Sequence, residues 1–303
     1  MTESRNKNMA KQATRLLCIA LTAVGLVACR DSTGPNPSST RAGHPGFDTS
    51  IYPGDAAMAA WLAPNSPYEW VGYYLQAPCH RDASWMGKRV QLTSMGWGLA
   101  VLYVGQQTFD GVALMAEQSR QSLLEATGPI PARAGIMVPA TRAEIQAAAV
   151  TCSRTLLTTE QGSADAVDAV TRTAAEGFPA GTVVFLDIEH MDMIPASMHS
   201  YYRAWVQQVL ADGRFRPGIY VHKANAQAIY DGVRQAYLDM NAGGSAAFWL
   251  AGSGAFTLDV PPTQVGFAFA NVWQGVFEVT QTWNGAAINI DVDVADRSSP
   301  SGL

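Results

Sequence analysis

The chain has 303 residues, of which 48% are hydrophobic and 15% charged. Those proportions are globular and exclude a membrane-embedded or disordered chain. The formal net charge of -5 excludes the basic surplus of a nucleic-acid binder.

The N-terminal thirty residues read as a targeting segment. Arg5, Lys7, Lys11 and Arg15 precede an apolar run, Leu16 to Ala28, that is too short to span a bilayer as a mature helix. A basic stretch followed by a short apolar one is a secretory signal. Leu26-Val27-Ala28-Cys29 resembles a bacterial lipobox, so residues 1–28 are expected to leave and Cys29 to carry lipid, making the membrane a partner. The alternatives are a signal cut elsewhere or an uncleaved anchor. Arg30, rather than Asp, after Cys29 favours outer-membrane sorting. Loss of four basic residues and Glu3 takes the formal charge to -8. Cys18 leaves with the signal. Cys79 and Cys152 remain, a pair expected to form a disulfide in an oxidising compartment, the alternative being two separate buried thiols. Residues 29–45 are rich in Ser, Thr, Pro and Gly and read as a flexible tether.

A folded domain is expected over 46–296, with a disordered tail at 297–303. Short apolar runs at 46–51, 70–75, 98–105, 182–189, 217–222, 246–252, 266–273 and 286–292 predict eight strands. Most are apolar on both faces, as in a helix-covered parallel sheet. Helical periodicity falls at 163–177, 197–213 and 224–240, the first capped by Ser163 or Asp165 and ended by Gly177. Eight strands alternating with helices predict an α/β fold, the closed (β/α)8 TIM barrel. The last two connections are too short for full helices, so irregularity is expected there. The stretch from Gln106 to Gly162 predicts a long insertion after the third strand, lying over the barrel mouth. An open doubly wound sheet is the competing fold, without a Gly-rich phosphate loop to support it.

The chemistry concentrates in "VVFLDIEHM", residues 183–191. Asp187 and Glu189 are two apart on a strand, so they share a face about 6.5–7 Å apart. They stand at the C-terminal end of a barrel strand, where such barrels place active sites. Paired carboxylates in a low-dielectric cleft push one pKa up, which is the apparatus for protonating a glycosidic oxygen. Solvated carboxylates at a strand exit are the plainer alternative. Asp48 in "GFDTS" and Asp291 and Asp293 in "INIDVDV" fall near the ends of the first and last strands, neighbours in a closed barrel. A turn cap is the alternative role for Asp291. Trp249, Trp273, Tyr74, Tyr103 and Tyr220 lie near strand ends and are candidates for stacking on sugar rings, core packing being the commoner fate.

"GFDTS", "VVFLDIEHM", "VWQG" (272–275) and "IDVDV" (290–294) occur in the order seen in the family 25 lysozymes, TIM-barrel N-acetylmuramidases, which the chain resembles. "YVGQQ" (103–107), "GSADAVDA" (162–169) and "GIY" (218–220) resemble a related bacterial family of secreted glycoside-hydrolase-like domains of unknown function. The resemblance spans about residues 46–296. It implies Glu189 as general acid, Asp187 as the group orienting the 2-acetamido substituent or stabilising the oxocarbenium-like state, and Asp48 and Asp291 as the rest of the cleft floor. The implied substrate is peptidoglycan or a related polysaccharide. Asp293 departs from the lysozymes, which carry Asn there. A non-catalytic glycan-binding or envelope-organising lipoprotein is the competing function, since fold does not fix activity.

Neither a cofactor nor a metal is expected. The five histidines form no H-x-x-x-H or Cys-His spacing. "AGSGAF" is not G-x-S-x-G, and no Walker loop is present.

Overall fold

The computed structural model describes residues 42–109 and 151–302. In chain order the elements are β1 (His44–Asp48), α1 (Asp55–Trp61), β2 (Trp70–Tyr74), α2 (Arg89–Met95) and β3 (Gly98–Val104). A 3-10 turn, Arg154–Leu156, leads to α3 (Thr159–Ala175), β4 (Val183–Ile188), α4 (Ala196–Asp212), β5 (Arg216–His222), α5 (Ala226–Asp239) and β6 (Ala247–Ala251). A second 3-10 turn, Pro262–Val265, precedes β7 (Val272–Trp283) and β8 (Ala286–Ala295). Among these residues no helix is long and apolar enough to cross a membrane.

The eight strands close in sequence order into one barrel, as expected of a (β/α)8 fold, and the competing open sheet is excluded. Neighbours from β1 to β7 are parallel, whereas β8 runs antiparallel to both β7 and β1. The irregularity expected in the last units is therefore a reversal of direction. Asn284 (φ 49°) and Gly285 (φ 83°) supply the two left-handed residues of a tight hairpin turn. The strand expected at 266–273 begins only at Val272. Phe267 and Phe269 lie in a turn, with Phe269 stacked on Tyr230 of α5 at 4.0 Å.

The β7–β8 ribbon takes the place of a helix. Its far half lies on α1: Trp61 Nε1 donates to Ala286 O, Asn284 Nδ2 to Ala60 O, and the Tyr68 hydroxyl to Gln281. Phe47, Trp61, Tyr68 and Trp283 pack ring to ring beneath it.

Alternation places Val183, Phe185 and Asp187 of β4 inside the barrel and Val184, Leu186 and Ile188 against the helices. Inside, Trp70, Phe185, Trp249, Val272 and Ala295 form a dry plug, with Trp249 at 5.4 Å from Trp70 and 5.7 Å from Phe185. Carboxyls occupy the layer above it.

Several boundaries differ from expectation. His44 and Pro45 belong to β1, not to the tether. The cap of α3 is Thr158, whose hydroxyl accepts from Gln161 N at 3.1 Å; Asp165 is buried and accepts from Tyr201 instead. Residues 298–302 are not a disordered tail. Ser301 is buried, its hydroxyl accepting from Val101 N at 2.7 Å, while its carbonyl accepts from Val183 N at 2.9 Å. They close the N-terminal end of the barrel, where Leu62, Glu69, Trp97 and Ser299 line a cavity of about 500 Å³ far from the carboxylate layer.

Cys79 and Cys152 form the expected disulfide, with Cα atoms 4.9 Å apart. Cys79 N donates to Val104 O, which places the bridge at the C-terminal end of β3. The signal segment, Cys29 and most of the expected insertion (110–150) lie outside the described residues.

Candidate active site

Closure brings the C-terminal ends of β1, β4 and β5, the start of β7 and the middle of β8 to one mouth. Asp48 is the Cα partner of Asp291 across β1–β8, and Asp293 is the partner of Gly46, one inward layer deeper. Asp291 reaches the mouth because β8 descends from it, not because the strand ends there. Gly72 makes room for this layer: a Cβ there would stand 2.6 Å from the Asp48 Cβ.

Gln274 joins the acids. Its Nε2 donates to Asp48 Oδ2 at 2.9 Å and to Asp291 Oδ2 at 2.7 Å, and its Oε1 accepts from the Tyr220 hydroxyl at 2.6 Å. The Tyr74 hydroxyl donates to Asp48 Oδ1 at 2.6 Å. Glu278 N donates to the other oxygen of Asp291 at 2.6 Å. Gln107 binds β4 through its ends: its Nε2 donates to Asp187 O at 2.9 Å, and its Oε1 accepts from Glu189 N at 3.1 Å. The exit from β4 is thus held by a side chain from beyond β3.

The environments separate the five carboxyls. Burial, then the charge of Asp291, pushes Asp48 up to about 8 against the hydrogen bonds of Tyr74, Asp293 and Gln274. Asp187 is raised well above the usual range by burial, then by Glu189 and Asp48; its Oδ1 is buried without a hydrogen-bond partner among the described residues. An ionised carboxylate so placed is costly, so Asp187 holds its proton. Asp293 is fully buried, accepts from Trp249 Nε1 at 3.0 Å, and is raised well above the usual range by burial and then by the charges of Asp48 and Asp291. A neutral Asp293 offers one donor and one acceptor, as an Asn would. Asp291 rises only to about 6, because the Glu278 amide opposes its burial. Glu189 lies just past β4, open to solvent yet walled by protein, and is raised by burial and then by the charge of Asp291. His190 acts in the opposite sense.

Two acids with distinct tendencies therefore share the mouth. Glu189 is a solvent-reachable acid that holds a proton above its ordinary range. Asp291, given two N–H donors, ionises more readily than the buried carboxyls around it. Such a pair serves acid–base chemistry on a bound bond.

Four of the sequence candidates lie away from substrate reach. Trp273 sits one residue from inward-facing Gln274 and so faces outward; it is 1% exposed, donates to Gly252 O at 2.8 Å and packs on Phe256. Trp249 is sealed in the plug, and Asp293 beside it is below the surface of the mouth. Tyr103 faces α3, where its hydroxyl donates to Asp168 at 3.0 Å. Tyr74 and Tyr220 remain at the mouth, with hydroxyls committed to Asp48 and Gln274. Sequence reasoning missed Gln274 and Gln107 as site residues, although both stood in quoted motifs, and it missed the bulge that carries Glu278.

A family model described as "Rv2525c-like, glycoside hydrolase-like domain" matches residues 59–295. No curated protein matches the chain in sequence. Among solved structures, an uncharacterized protein of B. stearothermophilus aligns with TM-score 0.49 and 15% identity over 84% of this chain and 97% of its own. The Tat-secreted protein Rv2525c of Mycobacterium tuberculosis aligns with TM-score 0.44 and 13% identity, over 82% and 94%. The modular autolysin LytC of Streptococcus pneumoniae aligns with TM-score 0.50 and 10% identity, over 83% of this chain and 46% of LytC. At such identities the likeness concerns the fold. The family match covers most of the chain, and the protein belongs to the Rv2525c-like glycoside hydrolase-like domain family.

Proposed function

We propose that the protein is an exported, lipid-anchored glycoside hydrolase that cleaves β-linked, N-acetylated cell-wall glycan, peptidoglycan above all. The observation that carries this reading is the convergence of Asp48, Asp187 and Asp291 on the barrel mouth beside Glu189, with Gln274 Nε2 bonded to both Asp48 and Asp291. Glu189 protonates the glycosidic oxygen as its bond to the anomeric carbon breaks. The Asp291 carboxylate faces the positive charge that develops on the sugar. Asp187, holding its own proton, orients the 2-acetamido group by donating to its carbonyl. Water adds to the anomeric carbon, and its proton restores Glu189.

The cell-wall substrate draws support from LytC, whose fold is shared and which has been crystallised with a synthetic peptidoglycan ligand. Export draws support from the signal-like segment and from the Cys79–Cys152 disulfide, which belongs to an oxidising compartment. Cys29 is the proposed lipid attachment point.

The test is release of reducing ends from purified peptidoglycan by the full chain and by Glu189→Gln. General-acid loss lowers the rate by about 10²–10⁴-fold. Equal release by the two proteins would remove Glu189 from the mechanism. Saturable binding by wild type with no release would leave a glycan-binding protein.

A further inference from the structure

Burial of Trp249, Trp273 and Tyr103 raises the question of which ring face a sugar meets at this mouth. Among the described residues Phe277 is the one aromatic side chain that is exposed, at 43%. Its position follows from a break in the β7–β8 ladder. Pairing passes from Val276↔Val292 to Val279↔Ile290, so Phe277 and Glu278 together stand opposite the single residue Asp291. Such a bulge expels a residue from the ladder and re-aims its neighbours. Here Glu278 takes a left-handed φ of 50°, a conformation a non-glycine residue rarely adopts. The same distortion points the Glu278 amide at Asp291 Oδ1. Phe277 is left one residue from that amide, beside the carboxylate of the proposed mechanism. Val276, 37% exposed, adjoins it on β7, and Met193, 83% exposed, stands on the loop that follows Glu189.

We infer that Phe277 is the platform on which a pyranose ring of the substrate stacks, an assignment that rests on the proposed glycan-hydrolase reading. A phenyl ring offers no hydrogen bond. It binds the one apolar surface a sugar has, the face formed by its axial C–H groups, through burial and contact with the π-face. A sugar ring lying on Phe277 presents its edge to Asp291, the carboxylate whose charge acts on Glu189. The bulge therefore couples two functions: it supplies a donor to the carboxylate and a floor to the ring beside it.

The experiment measures cosedimentation of the full chain with purified peptidoglycan sacculi, in a Glu189→Gln background so that turnover does not intrude. Phe277→Ala and Phe277→Trp are compared, with melting curves to confirm that each is folded. The expected result is affinity weakened on the order of tenfold by Ala and preserved by Trp. Affinity within twofold of the parent for Ala, or equal loss for Ala and Trp, overturns the platform. Reducing-end release by the protein with native Glu189 is scored alongside. Release together with unchanged binding by Phe277→Ala sinks the platform and leaves the hydrolase. Tenfold loss without any release keeps the platform and sinks hydrolysis. No binding by the parent overturns the platform, and no release by the native protein besides overturns both.

Discussion

Gln274 shows how much one amide decides at the mouth. It is 1% exposed and satisfies two acids and a tyrosine from three other strands. Replacing it with Leu keeps the volume but strands polar groups of Asp48, Asp291 and Tyr220. Leaving buried groups unpaired costs about 1–3 kcal/mol. Gln274→Leu is therefore expected to lower unfolding stability in urea by about 2 kcal/mol and to raise the pKa of Asp291, which loses one of its two donors. A stability unchanged within 0.5 kcal/mol, roughly the spread of surface substitutions, would contradict the network. The role was not legible in the sequence. "VWQG" marks the residue, but Gln274 meets Asp48 across 226 positions, a contact only barrel closure creates. The inward position of Asp187 was legible, because period-two alternation and burial on both faces are local properties of β4; Glu189 lies one residue past that strand, where alternation no longer fixes its direction.

At the scale of elements, the β7–β8 ribbon is where reading and structure part. Eight strands and three of the five described helices are periodic features that sequence reveals. The direction of β8 is not periodic; it is set by a turn. Asn284-Gly285 is a strong hairpin signal flanked by the alternating "EVTQTW" and "AAINID". The seventh strand was expected instead on the apolar "GFAFANVW", whose phenylalanines pack as a turn against α5. Gly285→Val places a β-branched residue at φ 83° and is expected to cost about 1–2 kcal/mol. Because β8 carries Asp291, the same change should loosen the mouth. Thermal unfolding of this variant checks the cost, and a melting temperature equal to wild type would show that the turn does not set the reversal. Trp273 and Tyr103 lie away from the mouth for a related reason: strand parity decides whether a ring faces the barrel interior or the helices. Trp249 faces inward but sits a layer below the mouth, in the plug.

At the scale of the molecule, the barrel is held at both ends. Residues 298–302 bridge β3 and β4 at one end, and the disulfide ties the two sides of a 73-residue separation at the other. In the chain-entropy account a loop of that length contributes about 4 kcal/mol. Such fastening offsets a layer of acids that repel one another. The central claim is that acids remote in sequence gather in this layer and retain protons at neutral pH. It is tested most directly by unfolding free energy between pH 7 and 9. Buried His80, lowered to about 4 from 6.5, works in the opposite direction there and adds only about 0.2 kcal/mol, as its unfolded form loses its last protons. Asp48 has a folded pKa raised to about 8 against 3.8. Its contribution is thus fully present below pH 3.8 and is lost as pH rises through 8. The predicted result is a fall of about 1.4 kcal/mol between pH 7 and 9 from this group alone, diminished in Asp48→Asn. Stability that is flat or rising over that range, or a slope unaltered in Asp48→Asn, would contradict it.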